Sequence, residues 1–131
     1  LDALDAALRT GGEEVTVAVI RTAARRTDEE LEGARFDAVF IDGQHERQAT
    51  LHYVERTLPL LNPGGAVLLD DIYWSDDMHQ FWLDFRCLPQ FAVTVDMART
   101  GVGILRSGDE VKAHYDICDY IGRPAIANRN W

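Results

Sequence analysis

Two apolar segments, each ending in acidic residues, constrain the fold of this chain most strongly. Phe36–Ile41 is followed by Asp42, and Ala66–Leu69 is followed by Asp70 and Asp71. Short apolar runs bounded by turn residues are typical of buried strands. If both strands lie in one parallel sheet, their acids come out at the same edge, where open α/β sheets bind ligands. The sequence therefore predicts an α/β fold with an acidic site at one sheet edge.

A helix is predicted between these two strands. Apolar residues recur there at spacings of three and four, which places them on one helical face: Leu51, Val54, Leu58 and Leu61. The stripe predicts a helix over Gln48–Leu61, and the Asn-Pro-Gly-Gly sequence at 62–65 ends it because proline cannot continue a helix. Strand, helix and strand with short links form a right-handed crossover unit.

The segment before residue 36 predicts a helix followed by another strand. Leucines at positions 1, 4 and 8 share one helical face, and the Gly-Gly pair at 11–12 is a stop signal. Val15–Ile20 is a β-branched apolar run, which predicts a buried strand. A short helical turn is expected over Asp28–Glu32. Because the chain starts inside a predicted helix, we also expect further sequence upstream of Leu1.

The segment after residue 74 predicts one more helix. Ser75 or Asp76 is a suitable N-cap for a helix over Asp76–Arg86. Its apolar stripe has helical spacing and therefore predicts core packing: Met78, Phe81, Trp82 and Phe85.

Two strand-like runs close the predicted fold. Phe91–Asp96 and Val102–Arg106 are joined by a short link, which requires antiparallel pairing in a hairpin. Residues 107–131 show no clear period. We therefore assign residues 1–106 to a single domain and residues 107–131 to a C-terminal tail without an assigned role.

The composition excludes several classes of protein. The net charge is −9 and Lys112 is the only lysine, so no basic stripe is present that could neutralise a nucleic-acid backbone. No stretch approaches the roughly 20 apolar residues of a membrane span. Cys87 and Cys118 lack zinc-site spacing, and two unpaired thiols are typical of a reducing compartment. We expect a cytoplasmic protein that does not bind nucleic acid or a membrane.

The three acids at the strand ends are candidate metal ligands. Carboxylates within about 4–6 Å of one another repel unless a cation neutralises them, and oxygen ligands of this kind suit Mg²⁺, Mn²⁺ or Ca²⁺ and not zinc. Asp42, Asp70 and Asp71 are therefore predicted to hold Mg²⁺. Strand alternation sends Asp70 and Asp71 to opposite faces unless the chain turns sharply, so one of them is expected to face the site fully. The alternative is that Asp71 caps the following turn and Asp70 faces solvent.

His45 is the candidate general base. It lies three residues after Asp42, on the predicted loop into the crossover helix. An imidazole titrates near neutral pH, so it can take a proton from a hydroxyl that is held at the metal. The other three histidines, His52, His79 and His114, have no such setting and are expected to be structural or exposed.

Two further motifs favour other classes less well. Gly101 and Gly103 form a Gly-x-Gly pair. A nucleotide-binding glycine loop lies between a strand and a helix, whereas this pair follows a hairpin turn and no helix follows it. A receiver-like signalling domain also clusters three aspartates around Mg²⁺. In that class the acidic pair comes on the first strand and a lysine closes the site, whereas here the pair comes second and Lys112 lies in the tail.

The sequences FDAVFIDGQH and LPLLNPGGAVLLDDIYW, with the closing hairpin, resemble the second half of class I S-adenosylmethionine-dependent methyltransferases. The resemblance is strongest to a bacterial group whose fourth strand ends in Asp-Gly-x-His and whose fifth ends in Asp-Asp. It covers about Val15 to Arg106 and implies a Rossmann-like sheet that is mostly parallel, with a C-terminal antiparallel hairpin.

The resemblance also implies roles for residues at the sheet edge. It implies S-adenosylmethionine as cofactor, with Asp42, Gly43 and Trp74 beside it. In relatives that methylate hydroxyls, Mg²⁺ is often bound by the acids that match Asp42, Asp70 and Asp71. In some sugar and natural-product O-methyltransferases the histidine that matches His45 resembles a general base. The implied function is metal-assisted O-methylation of a small-molecule hydroxyl, with His45 as the general base.

The resemblance is incomplete on the N-terminal side. The family's glycine-rich loop after its first strand and its ribose-binding acid have no counterpart here, so the N-terminal strands are expected to be missing. Val15–Ile20 matches the family's third strand and Phe36–Ile41 its fourth. These two strands are not neighbours in the family's sheet, so Phe36–Ile41 would expose an unpaired edge. Alternatively, Val15–Ile20 pairs with it directly, or a partner chain covers it, for example in a homodimer. A non-catalytic methyltransferase-like interaction or dimerisation module is the remaining alternative.

Overall fold

A β-sheet organises the fold in the computed structural model of the protein, which describes residues 7–10, 13–21, 33, 35–43 and 45–127. Seven strands are present in these residues: β1 (Ala7–Thr10), β2 (Glu13–Arg21), β3 (Phe36–Asp42), β4 (Leu61–Leu69), β5 (Phe91–Met97), β6 (Thr100–Leu105) and β7 (Ala113–Asp116). The helices are α1 (Arg47–Thr57), α2 (Asp76–Phe85) and α3 (Cys118–Ile121), with a 3₁₀ turn at Leu58–Leu60.

The strands lie in the order β1-β2-β3-β4-β6-β5-β7. β2, β3 and β4 are parallel neighbours, β6 is antiparallel to both β4 and β5, and β7 is parallel to β5. Since β1 is antiparallel to β2, five strands run one way and two run against them. This confirms the predicted α/β fold, a mostly parallel sheet with an antiparallel hairpin in its C-terminal part.

β2 pairs directly with β3 over residues 17–21, with Val19 opposite Phe40 and Ile20 opposite Ile41. The expectation that Phe36–Ile41 exposes an unpaired edge is therefore wrong, and the alternative of direct pairing with Val15–Ile20 is confirmed. The physical reason is that backbone N–H and C=O groups of a buried strand must find partners.

The predicted N-terminal helix is wrong where the structure describes it. Ala7–Thr10 is strand β1, and Leu8 lies opposite Val15 in an antiparallel pair. The Gly-Gly pair that was interpreted as a helix stop is also a typical hairpin sequence, and two residues suffice to join antiparallel strands. Residues 1–6 and the predicted helical turn at Asp28–Glu32 lie outside the described residues.

The connection from α1 to β4 differs from the prediction in its boundaries. The α-helix ends at Thr57, four residues before the predicted end at Leu61, and a 3₁₀ turn that contains Pro59 follows. β4 begins at Leu61, so the Asn-Pro-Gly-Gly sequence lies inside the strand. The register shifts there, and Gly64 has a φ of 77°. A bulge thus absorbs the residues that were expected to form a turn.

α2 confirms its predicted cap and core face. The Ser75 side-chain oxygen accepts a hydrogen bond of 3.1 Å from the Met78 N–H, which satisfies a free donor at the helix start. The predicted stripe is buried: Met78, Phe81, Trp82 and Phe85. Phe81, Trp82 and Phe85 pack with side chains of β3, β4 and β5 into one core.

The Gly-x-Gly pair serves core packing. A Cβ on Gly101 would lie 2.6 Å from Trp82 Cζ3, and one on Gly103 would lie 2.8 Å from Phe85 Cε1. Real Cβ atoms do not approach other carbons so closely, so the aromatic rings of α2 lie directly on the backbone of β6. The absence of side chains at these two positions lets the helix pack against the sheet.

The sheet continues beyond residue 106. β7 pairs in parallel with β5 and places His114 beside Thr94, with 2.9 Å between Nδ1 and the hydroxyl oxygen. The sequence showed no period in this segment because β7 has only four residues and an irregular burial pattern.

Replacing Gly103 with alanine should destabilise the fold by roughly 1–3 kcal/mol, because the added methyl group overpacks Phe85 and Phe91. Urea unfolding of both variants measures this. Gly108→Ala is the matched control, since a Cβ there meets nothing within 4 Å. Equal stability of the two variants would contradict the packing role of Gly103.

The free energy of unfolding should decrease when the pH is lowered below about 6.5, the ordinary pKa of a histidine side chain. Desolvation and the Arg86 charge lower the pKa of His114, although much of this residue is exposed. Below that pH the unfolded chain binds a proton that the native state resists, so the free energy of unfolding decreases as pH falls. His114→Gln should show a shallower decrease between pH 7.5 and pH 5 in urea titrations. An unchanged slope would exclude His114 as the cause.

Candidate functional site

Parallel pairing of β3 and β4 brings their carboxyl ends together. Ile41 lies opposite Leu69, and the Asp70 N–H donates a hydrogen bond of 3.0 Å to the Ile41 carbonyl. Asp42 and Asp70, the next residues on the two strands, therefore lie at the same edge of the sheet. The predicted juxtaposition of the two acidic strand ends is confirmed.

Asp70 and Asp71 both contact one guanidinium group. Arg99 Nε lies 2.8 Å from Asp71 Oδ1 and 3.4 Å from Asp70 Oδ1, and each carboxylate is only 15% exposed. Asp71 has a φ of 54°, which breaks the alternation that would send the two side chains to opposite faces. The charges of Asp71 and then Asp70 raise the pKa of Arg99.

His45 lies against the same acidic turn. Its Nε2 atom is 3.5 Å from Asp71 Oδ2, and its ring centroid is 5.0 Å from that of Trp74. The carboxylate of Asp71 therefore lies between an imidazole and a guanidinium, with one oxygen toward each. An acid in this position can orient the imidazole.

Backbone strain is concentrated at this edge. Among the described residues, three non-glycine residues have positive φ: His45 at 50°, Asp71 at 54° and Ala98 at 68°. The first two contact each other and the third precedes Arg99. Such conformations cost energy and persist where the surrounding structure imposes them, which is common at functional sites.

Arg99 reaches the acids from the turn between β5 and β6. Gly101 lies opposite Leu69, so the antiparallel register carries the turn past the end of β4. The Arg99 carbonyl accepts a hydrogen bond of 3.0 Å from the Ile72 N–H, which ties the turn to the segment after the acids. No role was predicted for Arg99, because in the sequence it is only a charged residue in a short hairpin link.

A buried carboxylate anchors this turn in the core. Asp96 is 1% exposed, and its oxygens accept hydrogen bonds from Ala98 N at 2.9 Å, Tyr73 OH at 2.9 Å and Trp82 Nε1 at 3.0 Å. Cys118 Sγ adds a contact of 3.4 Å. Burial raises the pKa of the Cys118 thiol to about 11 and that of Tyr73 above its usual range. Both groups therefore stay protonated and act as donors.

The C-terminal segment is held across Tyr73. Arg123 donates hydrogen bonds of 2.7 Å to Tyr73 OH and 2.6 Å to Asp116, and the Ala127 N–H donates one of 3.0 Å to the Tyr73 carbonyl. The bonds to Asp116 and Tyr73 raise the pKa of Arg123, which keeps it charged. Residues 123–127 thus form a fixed wall.

A cavity of about 270 Å³ lies between this wall and the acidic turn. Its walls are mostly apolar, with one acid and one cation among the lining residues: Asp71, Tyr73, Trp74, Ala98, Arg99, Pro124, Ala125 and Ala127. Ligand pockets are typically apolar with a few placed polar groups, and this one is small for the class.

The residues proposed as cofactor contacts lie near this edge with different degrees of exposure. Trp74 is 42% exposed and lines the cavity. Asp42 ends β3 and is partly buried. Gly43 is buried, and a Cβ there would lie 3.0 Å from the Tyr53 ring, so packing alone explains this glycine. The three cofactor assignments stay predictions.

The predicted Mg²⁺ site also stays a prediction. Within the part of the chain that the structure describes, the three potential ligands within 4.8 Å of one another are Asp96, Asp116 and Cys118. Asp42 does not form such a group with Asp70 and Asp71, whose oxygens contact Arg99 instead.

Comparison with known proteins supplies an independent finding. A family model described as a methyltransferase domain matches residues 2–72, more than half of the chain. No curated protein matches the chain. None of the helices in the described residues is long and apolar enough to cross a membrane.

Tyr73→Phe should destabilise the protein by about 1–3 kcal/mol, because it removes a donor to the buried Asp96 and an acceptor for Arg123. Chemical denaturation measures the change. Tyr120→Phe is the control, since Tyr120 is 90% exposed. A loss for Tyr73→Phe no larger than that of the control would contradict the proposed anchoring.

Proposed function

Because this chain belongs to the methyltransferase domain family, we propose that it is an S-adenosylmethionine-dependent enzyme that methylates a hydroxyl group of a small molecule. His45 is the general base in this proposal. The contact between His45 and Asp71 supports it most strongly, because both residues hold strained backbone conformations and Asp71 lines a cavity.

Asp71 orients the base. With Nε2 turned toward Asp71, Nδ1 is the ring nitrogen that takes the proton from the acceptor hydroxyl. A base held by a third group is the common arrangement for activating a hydroxyl nucleophile. The 3.5 Å separation is long for a hydrogen bond, and catalytic contacts of this kind often shorten only when substrate binds.

The sheet edge offers suitable groups for the methyl donor. Asp42 ends β3 and Gly43 follows it, and the exposed ring of Trp74 offers a flat surface for a heterocycle. When bound, S-adenosylmethionine supplies a methyl group already activated by its sulfonium centre. The chain then needs only to position the acceptor, exclude water and remove one proton.

The cavity limits the acceptor. At about 270 Å³ it is less than twice the roughly 150 Å³ that holds a benzene molecule, so the acceptor's bound part is one or two rings in size. The largely apolar walls favour a ring over a charged chain.

Metal assistance is the least supported part of the prediction. The oxygens of Asp70 and Asp71 are of the type that Mg²⁺ prefers, but Arg99 contacts both carboxylates. A Mg²⁺ ion would have to displace this guanidinium. The donor set as arranged does not fit the ion, and no step of the proposed reaction depends on it.

His45→Ala should lower turnover by roughly 10²- to 10⁴-fold, the usual contribution of a general base, while S-adenosylmethionine still binds. Turnover is measured as S-adenosylhomocysteine released with a panel of acceptors that includes a phenol, a catechol and a hexose. Calorimetry measures the dissociation constant of the methyl donor. His52→Ala is the control, because His52 is exposed on α1.

Equal turnover of the two histidine variants would remove His45 from the mechanism. If the wild-type chain binds no S-adenosylmethionine at all, the result favours the alternative, a methyltransferase-like interaction or dimerisation module.

A further inference from the structure

The acid pair at the end of β4 already has a cation within the chain. Two neighbouring carboxylates, each 15% exposed, repel each other, and a positive partner between them offsets this repulsion. Arg99 Nε contacts one oxygen of each acid, at 2.8 Å for Asp71 and 3.4 Å for Asp70. The charge that a metal ion would supply is therefore supplied in part by a side chain.

The position of Arg99 is fixed by its backbone. Its carbonyl is bonded to the Ile72 N–H, and the preceding Ala98 N–H is bonded to the buried Asp96. Ala98 holds a φ of 68°, which an L-residue adopts only where neighbouring contacts impose it. The turn is thus anchored to the core and to the strand end at once, even though the Arg99 side chain itself is 71% exposed.

The remaining oxygen of Asp71 is also engaged. Asp71 Oδ2 lies 3.5 Å from His45 Nε2, so both oxygens of this carboxylate have partners within the chain. Mg²⁺ requires near-octahedral oxygen ligands at about 2.0–2.1 Å. An ion at that distance from Asp71 would also lie close to the guanidinium, and the two positive charges would repel.

We propose that Arg99 is the resident cation of the Asp70–Asp71 pair and that it excludes divalent metal ions from this site. The pair then holds Arg99 at the cavity wall, and Asp71 remains available to orient His45. The exclusion of metal ions is independent of the proposed function. The further conclusion, that methyl transfer proceeds without a metal, rests on the proposed function.

A titration with Mn²⁺ alone, without methyl donor or acceptor, tests the proposal. Binding is measured as the decrease in the electron paramagnetic resonance signal of the free ion. Up to about 1 mM Mn²⁺, the range of weak binding, wild type should bind no more ion than Asp71→Asn. Arg99→Gln should gain at least about tenfold in affinity, because the competing charge is removed. The double variant Arg99→Gln/Asp71→Asn should lose that gain.

Two further variants control for charge and folding. Arg47→Gln removes another arginine that pairs with an acid, Asp84 at 2.7 Å, and should behave as wild type. Arg99→Lys keeps a positive charge and should bind less Mn²⁺ than Arg99→Gln. Circular dichroism checks that each variant is folded.

Saturable Mn²⁺ binding by wild type that Asp71→Asn abolishes would overturn the proposal. A folded Arg99→Gln with no gain in affinity would also overturn it, since Arg99 would then not be what excludes the ion. If Arg99→Gln does not fold, the comparison of wild type with Asp71→Asn decides the question. Failure of methyl transfer with wild type, by contrast, would leave the Mn²⁺ result unchanged.

Discussion

The buried carboxylate of Asp96 is the interaction on which the site depends. A charge with 1% exposure is costly unless donors surround it, and Asp96 has donors from the segment after β4, from α2 and from its own hairpin turn: Tyr73, Trp82 and Ala98. These bonds connect three elements of the fold through one buried carboxylate. The same turn carries Arg99, and the same tyrosine holds the C-terminal wall, so the core network and the cavity share their supports.

The site itself combines strain with charge. His45 and Asp71 face each other from left-handed backbone conformations. Arg99 offsets the negative charge of the Asp71 carboxylate that contacts the imidazole. A sheet edge in a parallel fold supplies the position for such a site without dictating its chemistry. The chemistry comes from which side chains the turns after β3 and β4 present, and here those turns present an imidazole, a carboxylate in contact with it and an aromatic ring.

Local patterns in the sequence predicted what depends on local physics. The strand ends at Asp42 and Asp70, the Ser75 cap and the buried face of α2 follow from periodicity and capping, and the structure confirms them. Arg99 could not be predicted, because its contacts depend on β6 inserting beside β4, a choice of strand order that leaves no mark in the sequence. The short strands β1 and β7 were missed because four residues are too few to establish a period, and only pairing with a neighbour defines them.

Amide and indole chemical shifts during titration with S-adenosylmethionine measure whether this sheet edge binds the methyl donor beside His45. We expect saturable changes that are largest at Gly43, His45 and the Trp74 indole N–H, with little change at β7. The absence of saturable changes, or changes centred on β7, would contradict this expectation.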